Sequence, residues 1–184
     1  MIVNCKIFMI IILYSMVIKA QTSQVNTVPL SFEIPEIAIL KIQPSIEPVI
    51  ISLETITEAG NPIASKSETN NDKWLNYSSS IAEDGVTRNI SVEILSGTAP
   101  PGTEITLNTG SYVGSGSGQF GTPSEQITLK RSPQKILTGI GGAFTNIGPQ
   151  NGHPLSYGIQ IKNYDLLSFQ ENHILFISYT ISDD

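Results

Sequence analysis

Residues 110–122 read GSYVGSGSGQFGT, and two kinds of fold compete for them. Gly116, Gly118 and Gly121 fit the spacing G-x-G-x-x-G, with which dinucleotide-binding loops hold a pyrophosphate. Such a loop needs a strand that turns tightly into a helix, because the amides and dipole of the helix N-terminus hold the phosphates. Here Thr122-Pro123-Ser124-Glu125-Gln126 follow, and then ITLK, which reads as a strand. No helix is available, and no βαβ pattern occurs elsewhere. The glycines therefore read as a flexible connection between two strands of an antiparallel sheet, with no cofactor.

The rest of the chain agrees. Strands alternate side chains between two faces, so a sheet with one buried face shows apolar residues at every second position. VPLSFEI sets Val28, Leu30, Phe32 and Ile34 on one side and Pro29, Ser31 and Glu33 on the other. Ile37 to Ile42, Val49 to Leu53, Trp74 to Tyr77, Ile90 to Leu95 and Ile105 to Leu107 read the same way. So do Ile127 to Leu129, Ile136 to Ile140, Leu155 to Ile161 and Ile174 to Ile181. Between them lie turn residues, among them Gly60-Asn61-Pro62, Ser96-Gly97, Pro100-Pro101-Gly102 and Gly148 to Pro154. Short strands with regular turn signals predict an all-β fold, an immunoglobulin-like antiparallel β-sandwich. The polar stretch Thr57 to Asp72 reads as a long exposed loop or as a strand pair that the alternation misses.

Lys6 precedes an uncharged run, Ile7 to Ile18, and Ala20 precedes Gln21. That run is too short to span a bilayer comfortably and has the layout of a cleaved signal peptide, residues 1–20. The expected domains are thus 1–20, removed on export, and one sandwich domain, 21–184, with 21–34 as an extended arm or edge strand. The expected location is periplasmic, extracellular or on the cell surface, without integral membrane insertion. Cys5, the single cysteine, falls in the removed part, so the mature domain has no disulfide and relies on its core. The chain carries 16 acidic against 10 basic residues. Nucleic-acid binding needs clustered Lys and Arg, and the small group Lys130, Arg131 and Lys135 reads as a solvated face.

Few residues offer chemistry. His153 lies in the turn-like NGHP and His173 opens the last strand, and neither adjoins a nucleophile motif. Zinc spacings of Cys and His are absent, and no D-x-[DN]-x-[DN]-G calcium loop occurs. No catalytic, cofactor or metal residue is therefore assigned. Three aromatic residues are candidate ligand contacts, because a ring face can stack on a sugar: Trp74, Tyr112 and Phe120. Trp74, in KWLNYSSS, also reads as a core residue packed across the sandwich, whereas Tyr112 and Phe120 flank the glycine stretch.

The export signal, the alternating mature start and the final strand HILFISYTIS together resemble secreted bacterial β-sandwich proteins of the pilin and fimbrial-adhesin type. KWLNYSSS, PPGTEITL, ILTGIGGAF and NGHPLSYGIQI also look like stretches of uncharacterised exported proteins of the Bacteroidota. The resemblance implies strand exchange, in which the arm of one subunit completes the sheet of the next. Val28, Leu30, Phe32 and Ile34 would form that arm, although Pro29 and Pro35 each remove a backbone donor. An ordinary edge strand within the domain is the competing reading of the same residues. The expected function is that of a non-enzymatic structural or adhesive protein at a bacterial surface, acting through strand edges and loops on protein partners or on itself. The alternative is a carbohydrate-binding module.

Overall fold

The computed structural model of the protein describes residues 27–45, 47–53, 56–63, 70–81, 84–168 and 173–184. The expected signal peptide lies outside the described residues. By its contacts the chain divides after Ile34. In the first unit, residues 27–34 form no strand, and Val28, Leu30, Phe32 and Ile34 are each 77–85% exposed.

The second unit, Pro35–Asp184, is all-β. Its strands are β1 (Ile37–Gln43), β2 (Asn70–Ser80), β3 (Arg88–Ser96), β4 (Thr103–Thr109), β5 (Ser117–Pro123), β6 (Ile127–Thr128), β7 (Gln134–Phe144), β8 (His153–Ile161) and β9 (Phe176–Asp183). All pair antiparallel in one connected sheet ordered β6-β4-β8-β2-β7-β3-β9, with β1 added on β2 and β5 on β7. A single 3-10 turn at Tyr164–Leu166, capped by the Asn163 side chain, is the one helical piece among the described residues.

The period of two fixes which side chains form the core. Leu75 and Tyr77 of β2, Ile90, Val92 and Ile94 of β3, Ile105 and Leu107 of β4, and Leu155, Tyr157 and Ile159 of β8 alternate inward. On β7 the consecutive Ile136 and Leu137 are both fully buried, beside the shifts in its register with β3. β2 carries β1 along one flank; on the other it pairs with β8 up to Leu75 and then with β7 at Ser78 and Ser79. That handover turns the sheet. The Tyr157 hydroxyl of β8 bonds the Tyr179 hydroxyl of β9, four steps away in strand order, so the sheet curls until these strands face one another across the core.

Three features differ from the sequence reading. Ser117–Pro123, inside the glycine stretch, is a strand that runs along β7 rather than a connection. Gly118 has φ +110°, and a Cβ there would collide with the Gly142 carbonyl, so glycine is what lets the two backbones meet. Val49 to Leu53 forms no strand, although Val49, Ile51 and Leu53 still pack against the core. Trp74 is not a core residue: pleating puts it on the opposite face of β2 from Leu75 and Tyr77, and it is half-buried.

Candidate functional site

Four of the described strands, β1, β5, β6 and β9, pair along one edge only, and two of them, β1 and β9, lie beside one another. Among the described strands β1 pairs only with β2, and β9 only with β3. Between them runs a groove of about 520 Å³ lined by Leu40, Lys41 and Ile42 on one side and residues 177–181 on the other. Its floor is apolar, because Leu40 and Ile42 of β1 and Ile177, Tyr179 and Ile181 of β9 are half-buried and pack against the core. Lys41 and Thr180 are exposed at its margins. Among the described residues the groove-side edges of β1 and β9 pair with no further strand, and apolar positions recur at every second residue, two features that strand addition uses.

One end of the groove is fastened. Arg88, 2% exposed, donates from Nε to Asp183 Oδ1 at 2.8 Å, from Nη2 to the Glu36 carboxylate and from Nη1 to the Ile37 carbonyl. One guanidinium therefore ties the start of β1 to the end of β9, which makes the two strands antiparallel across the groove. The two backbones come within 8 Å of each other, so a strand added between them, which needs about 9.6 Å, would have to part them and would run parallel to one and antiparallel to the other. Desolvation raises the Tyr179 phenol well above its ordinary range, and the neighbouring Tyr157 adds to the effect, so the hydroxyl at the groove floor stays neutral.

Tyr112 and Phe120 are brought together under the glycine stretch. Their rings stack with centroids 3.6 Å apart, both are half-buried, and Tyr112 also meets the edge of His153. The Tyr112 hydroxyl donates to the Thr145 carbonyl and accepts from the Gly116 N–H, while Phe120 packs against the core. Each ring has one face occupied by the other. Trp74 stands apart from this pair on the outer face of β2.

His153 is fully buried, its Nδ1 at 2.9 Å from the Gly110 carbonyl and its Nε2 at 3.3 Å from the Tyr77 hydroxyl. Desolvation lowers its pKa against the smaller opposing effect of the Gly110 and Phe120 carbonyls. A neutral imidazole donating from Nδ1 suits this setting, and the residue reads as a polar brace within the core. His173 is exposed. Among the described residues no three His, Cys, Asp or Glu side chains converge on a metal position, and no helix is long and apolar enough to cross a membrane.

The sequence reading named Val28, Leu30, Phe32 and Ile34 as a candidate arm but neither the groove nor Arg88. Leu40, Ile42, Ile177 and Ile181 were legible as inward positions of strands, yet the free edges on β1 and β9 follow from topology alone. The class that the fold defines is an all-β protein of one antiparallel sheet. The chain matches no family model, no curated protein and no solved structure, so any functional reading rests on its own geometry.

Proposed function

We propose that this chain is a non-enzymatic structural or adhesive subunit, exported to a bacterial cell surface, that associates with a second copy of itself by strand addition. The observation that carries the reading is the groove between the unpaired edges of β1 and β9, with its apolar floor. Its natural complement is the exposed, alternating Val28, Leu30, Phe32 and Ile34, supplied by another copy. In this reading the curled sheet is an immunoglobulin-like sandwich, with β6-β4-β8-β2-β1 as one layer, β5-β7-β3-β9 as the other, and the gap between β1 and β9 as the seam that the arm closes.

Burial of each arm side chain contributes roughly 1.5–3 kcal/mol. Ordering each backbone residue costs roughly 1–2 kcal/mol, so the balance is close. The hydrogen bonds along the two edges then decide affinity, and Pro29 costs the ladder one donor.

Sedimentation of the full chain over a range of concentrations tests this. Oligomers should grow with concentration and disappear in the Leu30→Ser, Phe32→Ser double variant. An added peptide of residues 28–34 should compete with them. A chain that stays monomeric throughout, or oligomers indifferent to the double variant and to Ile42→Lys, would refute the reading.

A further inference from the structure

The outer face of the β1-β2-β8-β4 region has a composition unlike a plain solvated sheet. Trp74 stands there in register with Gln43 of β1 and Pro154 of β8. Along β8 the same face carries Ser156, Gly158 and Gln160, opposite Asn108, Thr106 and Glu104 of β4. In the middle of this row the Thr106 side chain, itself buried, fills the place beside Gly158, where a Cβ would come within 2.8 Å of Thr106 Oγ1.

Several polar groups on this face are not used by the fold. Among the described residues, the Trp74 indole N–H and the carboxamides of Gln43, Asn108 and Gln160 have no hydrogen-bond partner. By contrast, Asn76, Asn89 and Asn146 all bond within the protein. Glu104 is engaged by Lys162 at 3.5 Å and by the Thr128 hydroxyl at 3.3 Å, so the β4 row presents no unpaired acid.

We infer that this face binds a neutral oligosaccharide, stacked on Trp74 and hydrogen-bonded by the carboxamides of Gln43, Asn108 and Gln160. An indole offers a flat apolar face with a polar N–H at its edge, which suits a pyranose whose ring hydrogens are apolar and whose hydroxyls lie at the rim. Carboxamides both donate and accept, as hydroxyl recognition requires. Trp74 and Asn108 lie two strands apart, about 10 Å across the sheet, which favours a chain of sugars over a single ring. The lack of a basic cluster here and the net charge of −6 point to an uncharged glycan rather than a sulfated or uronic one. Tyr112 and Phe120, stacked on each other, do not take part. The inference is independent of the strand-addition reading, which concerns strand edges rather than this face.

Trp74 is the single tryptophan, so the intrinsic emission of the full chain reports on this face directly. The probes are cello-, xylo-, manno- and chito-oligosaccharides in solution, with retention on the corresponding insoluble polysaccharides as a second readout. At least one series should change the emission saturably. Trp74→Ala should weaken retention about 30-fold or more, the loss carried by a central aromatic anchor. The double variant Asn108→Ala, Gln160→Ala should weaken it about 10-fold while its circular dichroism and melting stay those of the parent. Phe176→Ala, at a ring 60% exposed on β9, and the arm double variant should both bind as the parent does. If Trp74→Ala fails to fold, the amide double variant decides the matter. The inference is overturned if no series gives a saturable change or retention, if binding survives Trp74→Ala, if the folded amide variant binds unchanged, or if only anionic polysaccharides bind.

Discussion

Arg88 keeps a full charge at a site with almost no solvent, and both of its carboxylate partners remain more than 60% exposed. The desolvation cost thus falls mainly on the guanidinium, and three acceptors, one on each of its nitrogens, offset it. Arg88→Met should fill much of the space but free the ends of β1 and β9. We expect a loss of roughly 2–4 kcal/mol, read as a lower urea midpoint with an unchanged slope. The exposed pair Lys135–Asp184, 2.5 Å apart, should behave differently, with Lys135→Ala leaving the midpoint essentially where it was. Sequence could not single out Arg88, because Glu36 and Asp183 are 52 and 95 positions away from it. Trp74 was more legible than its first reading suggests. Alternation in KWLNY already sets it opposite Leu75 and Tyr77, but the bulk of an indole argued for the core, and here pleating outweighed size.

Among the elements, β5 shows how backbone contact can hide from a reading of side chains. SGQFGTP carries one large apolar residue, Phe120, so no alternation marks it, yet it pairs with β7 from Phe144 to Leu137. Its glycines serve the approach of two backbones. Gly118→Val adds a side chain where φ is +110° and the Gly142 carbonyl stands in the way. The cost should be roughly 2–4 kcal/mol, from strain and from partial release of β5. Protection of the β5 amides against hydrogen exchange should fall while that of the β3 amides facing β9 is kept. Equal loss of protection in both strands would show that β5 and the rest of the sheet open together. Val49 to Leu53 is the converse case. Its alternation correctly gave the residues that face the core, but facing a core does not require a ladder partner, and no strand forms there.

For the molecule as a whole, the buried titrating groups set the pH range of stability. The unfolded chain takes up a proton at His153 near pH 6.5, whereas the native state does so only at lower pH because burial disfavours the imidazolium. Below about pH 6.5 the unfolded state therefore holds more protons, and stability falls as the pH drops, by at most about 1.4 kcal/mol per pH unit from this one group. At the alkaline end, burial pushes the Tyr157 phenol up to about 12 and holds Tyr77 and Tyr179 well above their ordinary value. Unfolded phenols ionise near pH 10, so stability falls again as the pH rises beyond about 10. Urea midpoints measured across this range should trace a plateau with two falling limbs. His153→Gln should flatten the limb between pH 5 and 6.5, and an unaltered slope there would show that another group governs it.

The sequence by itself determined that this is an all-β protein and which residues of most strands face inward, because a period of two is a local property of pleated backbone. It also marked Val28, Leu30, Phe32 and Ile34 as an alternating apolar run and offered no helix after the glycines for a nucleotide loop. Only the tertiary structure decided which strands are neighbours, that β1 and β9 keep free edges beside one another, and that Arg88 fastens their ends. It also set Trp74 among unused amides on an outer face. These depend on pairings between residues far apart in the chain, chosen by the closure of the whole core, and no local pattern of side chains encodes them.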